Sequence, residues 1–144
     1  EVSVSSWADI CLNECFASYA QWLWAEGKEG DDLDARYHDA VGSVPRDFWE
    51  PRLYDMGAGN EFSGVYDKGI LAMHALRRQL GEKAFWRVMR SWPREHPEGN
   101  ASWPEFERFT ERVSGKNLDG FFAAWFRRSG RPGEQHLYPG TLSN

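Results

Sequence analysis

Glu14 is the residue of this chain whose surroundings most need a chemical explanation. It lies in residues 7–24, a run that reads as one helix, and at about 100° per residue apolar side chains cover most of its circumference. Glu14, Ser18 and Gln21 form a narrow polar stripe on it. A carboxylate on such a buried helix is costly unless it is solvated, paired or bound to a metal. Two interpretations follow: the stripe contacts water, or it faces a cleft in which Glu14 binds a cation.

Cys11 and Cys15 are the only cysteines, and they lie on one face of the same helix. In a regular helix this spacing holds the two Cα atoms about 6 Å apart with poorly directed Cβ atoms. We therefore expect no disulfide between them, but two small buried apolar residues. The alternative is a pair of soft metal ligands, which further cysteines or histidines would have to complete.

Tyr66 is the second candidate for chemistry, in the first turn of a helix predicted over residues 63–80. Gly69, one turn later, would let another backbone come close. Lys68 and His74 fall on the polar side of this helix, opposite its apolar arc. From the pattern alone, Tyr66 is a core tyrosine whose hydroxyl reaches the edge of the core.

The stretch 43–62 that leads to Tyr66 is irregular and mixes prolines, glycines and bulky aromatic residues. A loop of this length inside a compact domain is uncommon and often functional. Its aromatic side chains either line a cleft or pin the loop to the core, and the sequence favours neither.

Helical periodicity, caps and stops predict about six helices, at residues 7–24, 31–42, 63–80, 82–92, 102–115 and 117–129. Strand signals are almost absent, so we predict an all-α fold. We assign residues 1–130 to one helical subdomain. Residues 131–144 contain glycine and proline and are expected to form an extended or disordered tail.

Composition excludes several classes of function. The chain has 144 residues, enough for one domain with a core, and a net charge of -5, which argues against nucleic acid as the main partner. No apolar run approaches the roughly 20 residues of a membrane span. Because the first residue is Glu1 and not Met, we expect a chain cut from a longer protein, and its start predicts no compartment.

Two strings resemble a known family. Residues 12–17 read Leu-Asn-Glu-Cys-Phe-Ala, and residues 65–69 read Val-Tyr-Asp-Lys-Gly. They are similar to the Leu-Asn-Glu-Gly-Phe-Ala and Val-Tyr-Glu-Lys-Gly segments of the aminopeptidase N (membrane alanyl aminopeptidase) family of zinc metallopeptidases, the gluzincins. Both strings stand in the family's order, which is more specific than either string alone.

The resemblance implies the helical part of a thermolysin-like catalytic domain that acts on peptide substrates. Glu14 matches the third zinc ligand of the family, and Tyr66 matches its catalytic tyrosine, which donates a hydrogen bond to the oxyanion. The family's upstream His-Glu-x-x-His motif and its Gly-x-Met-Glu-Asn string are not in this sequence. We therefore expect the missing N-terminal half of the domain as a partner, and an isolated chain that is inactive and binds no zinc tightly.

The sequence departs from the family at two positions. Cys15 stands where the family usually has Gly, and Cys11 stands where it usually has Trp. These departures concern local packing more than the chemistry. Two alternatives to an aminopeptidase stay open. One is a helical interaction module without catalysis, and the other is a related zinc hydrolase that acts on a non-peptide substrate.

Overall fold

The computed structural model describes residues 3–4, 9–56, 67–96 and 100–143. In this part of the chain seven α-helices follow one another. They are α1 (Cys11–Glu29), α2 (Leu33–Ser43), α3 (Asp67–Leu80), α4 (Glu82–Glu95), α5 (Trp103–Ser114), α6 (Asp119–Phe122) and α7 (Glu134–Leu137). The all-α prediction is confirmed. The two strands described, β1 (Ser3–Val4) and β2 (Asn100–Ala101), form one short parallel pair.

Helix α1 differs from its prediction at both ends and in its exposure. It begins at Cys11 and continues through Gly27 to a left-handed cap at Gly30, where φ is 71°. Trp7 lies outside the described residues. The expectation of a helix buried nearly all round was wrong, because Trp24 is 60% exposed and Ala17 is exposed as well.

The core forms around the contact of α1 with α3, the most extensive between any two helices of the described chain. Aromatic rings fill most of it because each ring buries a large apolar area. The fully buried rings are those of Tyr19, Tyr37, Phe85, Trp103, Phe106, Phe109, Phe121, Phe122, Trp125 and Phe126. None of the helices described is both long and apolar enough to cross a bilayer.

The start of the irregular stretch is pinned to this core. A 3₁₀ turn over Arg46–Trp49 buries the Trp49 ring, whose centroid lies 5.9 Å from that of Trp125. The backbone amides of Leu53 and Tyr54 both donate hydrogen bonds to the carbonyl of Phe126. For Trp49 the structure therefore decides in favour of pinning, while residues 57–66 lie outside the described part.

Helix α4 passes its predicted stop. The helix was predicted to end at Trp92, but α4 continues to Glu95 with Pro93 inside its last turn. Proline removes one backbone donor and disfavours a helical residue before it, and the packing of Trp92 against Phe106 and Phe109 outweighs that preference.

The C-terminal residues are ordered and packed on the core, in contrast to the extended or disordered tail expected for residues 131–144. Helix α7 and a 3₁₀ turn over Gly140–Leu142 bury Leu137 and Leu142 completely. The Tyr37 hydroxyl donates a hydrogen bond of 2.6 Å to the Leu137 carbonyl. Glycine and proline do interrupt regular structure here, but the two leucines give the segment enough apolar area to dock.

Candidate active site

Glu14 lies in the first turn of α1, where the positive end of the helix dipole favours a carboxylate. Its backbone amide donates a hydrogen bond of 3.0 Å to the Ile10 carbonyl, which joins Glu14 to the regular helix. The side chain is half-buried and makes no hydrogen bond or ion pair with any residue that the structure describes. Within the described ranges, its carboxylate is therefore open to a ligand.

An open cleft of about 470 Å³ lies beside this carboxylate, between α1 and α4. Its lining combines the polar pair Asn13 and Glu14 with apolar side chains. The apolar residues are Leu12, Phe16, Ala17, Met89, Trp92 and Pro93. A mostly apolar cleft with a few polar groups is the usual form of a ligand or partner site. The polar stripe was expected either to contact water or to face a cleft, and the position of Glu14 agrees with the cleft. The other two residues of the stripe differ from it, since Ser18 is buried and Gln21 is exposed to solvent.

Three of the four histidines have other partners. His74 is fully buried between Tyr19 and Asp34, His38 stacks on the ring of Tyr138, and His96 packs against Trp92. In the described ranges no group of three or more His, Cys, Asp or Glu side chains is arranged to hold a metal ion. A carboxylate is one of the usual zinc ligands, so the chemistry of Glu14 suits a single zinc ligand, and the described residues do not complete a site around it.

The prediction that Cys11 and Cys15 stay unlinked was wrong, since the structure joins them in a disulfide. Their Cα atoms are 4.7 Å apart, within the range that a disulfide requires and closer than in the regular helix on which the prediction relied. The pair spans the first turn of α1, on either side of Glu14. Both residues are fully buried, as expected.

Gly69 brings α3 against this same turn. A methyl group built on Gly69 would lie 2.5 Å from the Cys15 Sγ atom and 3.3 Å from its Cβ atom. This separation is too short for any real contact, so only glycine fits here without a shift of its neighbours. The close approach that the glycine predicted is confirmed, and it joins the string around Glu14 to the string that contains Gly69.

Tyr66 falls outside the described residues, and its catalytic role stays a prediction. Lys68, two positions further, is described and was assigned to the wrong face. It is fully buried, and its Nζ donates hydrogen bonds to the carbonyls of Trp49 at 3.1 Å and Pro51 at 2.5 Å. Burial lowers the pKa of Lys68 to about 8. The signal that could have found it is its place within the family-like string.

Sequence reasoning also missed a buried chain of polar side chains that connects α1, α3 and α2. The Tyr19 hydroxyl lies 2.7 Å from His74 Nδ1, and His74 Nε2 lies 2.7 Å from Asp34 Oδ1. Arg77 donates to the Tyr19 oxygen and to both carboxylate oxygens of Glu26, so it connects α3 to α1. The polar face of an isolated helix gives no sign that its residues will be enclosed by others.

Known proteins resemble this chain over nearly all of its length. Aminopeptidase N of Lactococcus lactis subsp. lactis is 29% identical over 150 residues, which cover 91% of this chain and 17% of that protein. Glutamyl aminopeptidase of Bitis rhinoceros is 25% identical over 147 residues, 91% of this chain and 15% of that protein. The chain thus spans about one sixth of the length of these relatives.

Solved structures give the same result. The M1 zinc metallopeptidase of Deinococcus radiodurans matches with a TM-score of 0.76 and 28% identity, over 94% of this chain and 31% of that one. A mutant of it with a bound Tyr-Ser-Ala substrate matches with a TM-score of 0.75 and 28% identity, over 90% and 30%. The model of the peptidase family M1 domain matches residues 1–125. The chain therefore belongs to peptidase family M1.

Proposed function

We propose that this chain is part of a zinc-dependent aminopeptidase, in which Glu14 is the third zinc ligand and Tyr66 stabilises the oxyanion. The observation that carries the proposal is the Glu14 carboxylate, which pairs with none of the described residues, stands in the ligand string of the family and lines the cleft between α1 and α4. The relatives named aminopeptidases and the zinc metallopeptidase structures support it.

Glu14 suits the role of ligand for two reasons. A carboxylate oxygen is one of the usual zinc ligands, and three protein ligands leave a fourth position open for catalysis. The other two ligands would come from residues beyond this chain. A bound zinc ion supplies Lewis-acid polarisation of the substrate carbonyl and an activated water. Glu14 would hold the ion, while its place in the first turn of a packed helix limits its movement.

Tyr66 would act on the substrate directly. A phenol hydroxyl can donate a hydrogen bond to the oxygen that becomes negative when water attacks the scissile carbonyl. The support for Tyr66 is its place in the family-like string, directly before Asp67, the first residue of α3. Gly69, in the same string, packs against Cys15, the residue that follows Glu14.

The apolar wall of the cleft would contact the rest of the catalytic domain as well as the substrate. Phe16 and Met89 are only partly buried although they pack on the core, so further burial is available to them. We infer that the N-terminal half of the domain covers part of this wall. Peptides are the proposed substrates, since one relative structure holds a tripeptide substrate and another relative is named a glutamyl aminopeptidase.

The replacement Glu14→Ala in the full-length protein tests the proposal. Metal analysis should find most of the zinc lost, and hydrolysis of an aminoacyl anilide should fall with it. Glu29→Ala is the matched control, because Glu29 lies at the other end of α1 and is exposed. Near-full zinc occupancy in the Glu14→Ala protein would rule out Glu14 as a ligand.

A substrate panel on the wild-type protein separates the remaining alternatives. Release of N-terminal residues from peptides, abolished by a chelator and restored by zinc, is the expected outcome. Turnover of a non-peptide ester or amide without peptide hydrolysis would favour the related hydrolase. Zinc-free protein without any turnover would favour the interaction module.

A further inference from the structure

Gly69 of α3 packs against Cys15, the residue that follows Glu14 in α1. Both residues are buried, and the space for a side chain at Gly69 is already taken by the Cys15 Sγ atom. A short side chain can normally rotate away from such a contact. Here Sγ is bonded to Cys11, so the side chain of Cys15 cannot leave without opening the disulfide.

Helix α3 cannot easily move away from α1 either, because side-chain hydrogen bonds hold it near both of its ends. At its start, Lys68 donates hydrogen bonds to the carbonyls of Trp49 and Pro51. Towards its end, Arg77 donates to Tyr19 and forms an ion pair with Glu26, both of which belong to α1. A larger residue at position 69 would therefore displace the first turn of α1, and Glu14 is the residue directly before Cys15.

We infer that Gly69 and Cys15 are positioning residues whose contact sets where α1 presents the Glu14 carboxylate, and with it the affinity for zinc. The inference rests on the proposed role of Glu14 as a ligand. Residues that orient a metal ligand typically change metal affinity by about 10- to 100-fold when they are replaced. This range is the effect that we expect from disturbing the contact.

The experiment compares the zinc affinity of six variants of the full-length protein, measured by competition with a chelating dye. Gly69→Ala should weaken zinc binding by about 10- to 100-fold. In the double variant Gly69→Ala/Cys15→Gly, the nearest remaining atom is the Cα of residue 15, at 3.5 Å, which is an ordinary contact. Its affinity should return to within about threefold of Cys15→Gly alone, since the loss comes from the clash.

Two controls separate the contact from its surroundings. Gly27→Ala adds the same methyl group to α1 where nothing lies within 4 Å, so zinc affinity should not change. Cys11→Ala opens the disulfide but keeps the Cys15 side chain. In the Cys11→Ala background Gly69→Ala should cost less zinc affinity than in the wild type, because Sγ is then free to rotate.

Thermal melting of each variant distinguishes positioning from stability. A structural role alone would lower the melting temperature and leave the zinc affinity of the folded protein unchanged, and that result would overturn the inference. If Gly69→Ala does not fold, the double variant Gly69→Ala/Cys15→Gly tests the inference instead. A zinc affinity of the double variant more than tenfold below that of Cys15→Gly would also overturn the inference. If the Glu14→Ala protein keeps its zinc, both the proposed function and this inference are wrong. If Glu14→Ala loses its zinc but Gly69→Ala binds zinc as the wild type does, only this inference is wrong.

Discussion

The imidazole of His74 bridges two helices with no access to solvent: its Nε2 lies 2.7 Å from Asp34 Oδ1 on α2, and its Nδ1 lies 2.7 Å from the Tyr19 hydroxyl on α1. Because a carboxylate only accepts, Nε2 donates to Asp34 and Nδ1 accepts from Tyr19. Arg78 and Thr141 donate to the same carboxylate. One neutral histidine thus holds α1, α2 and α3 together, and Asp34 ties the C-terminal turn to them.

Acid should destabilise the protein through His74. Burial lowers its pKa to about 4, although the hydrogen bond to Asp34 opposes the shift. As the pH falls from 6.5 towards 4, the unfolded chain gains a proton on this histidine that the folded chain does not accept, so stability decreases. The expected contribution is about 2–3 kcal/mol. Urea unfolding at pH 7 and pH 4.5 measures it.

His74→Gln removes the titrating group and should flatten this part of the pH profile. His38→Gln is the control, since His38 stacks on Tyr138 and takes no part in the chain from Tyr19 to Asp34. Below about pH 4 a second loss of stability should begin in both His74→Gln and His38→Gln. Burial acts to raise the pKa of Asp34, but the hydrogen bonds from Arg78, His74 and Thr141 lower it to about 2. An equal pH slope in wild type and His74→Gln would contradict the assignment.

Lys68 should affect the stability of the protein at alkaline pH. Its folded pKa of about 8 lies below the ordinary 10.5, because burial disfavours the ammonium. Between pH 8 and 10.5 the unfolded chain keeps a proton that the folded chain has lost, so stability due to this group rises with pH. Relative to Lys68→Met, the wild type should gain on the order of 2–3 kcal/mol across this window.

The comparison with Lys68→Met cancels the ionisation of the tyrosines, which is common to both proteins. Lys83→Met is the matched control, because it removes an exposed lysine of α4 and keeps the buried Lys68 with its hydrogen bonds. A difference between wild type and Lys68→Met that stays constant from pH 8 to pH 10.5 would show that Lys68 titrates as it does in water.

Tyr66→Phe tests the catalytic prediction in the full-length enzyme. The substitution keeps the ring and removes only the hydroxyl. If that hydroxyl stabilises the oxyanion, kcat should fall about 100- to 1000-fold with little change in KM, because the hydrogen bond forms as charge develops. Tyr54→Phe is the control, since the Tyr54 ring packs under Arg127. A kcat within a few-fold of wild type at equal zinc content would defeat the assignment.

The chain studied by itself should fold and yet remain inactive. Its helices have consistent patterns and caps, which favours a strong helical circular dichroism spectrum. One carboxylate cannot supply the three ligands of a catalytic zinc site, so we expect neither tight zinc binding nor turnover of an aminoacyl anilide. Chelator-sensitive turnover by the purified chain would contradict this prediction, and a spectrum without helical minima would contradict its folding.

The sequence by itself determined where most helices lie, because the signals that start and end a helix are local. Ser102 caps α5 by accepting a hydrogen bond of 3.2 Å from the Glu105 amide, and Gly115 ends the same helix with a φ of 72°. Asp32 caps α2 by the same mechanism. These interactions join residues within one turn, so they can be read without the rest of the fold. The motif around Glu14 likewise identified one candidate ligand.

Only the tertiary structure decided which polar residues are enclosed. Lys68 and His74 lie on the side of α3 that its own sequence marks as polar, and both are fully buried. Their partners, Pro51 and Asp34, come from segments far along the chain, and no periodicity within α3 encodes them. The contact of Gly69 with Cys15 has the same origin. A helical pattern records the polarity of each face, whereas burial depends on what the folded chain brings against that face.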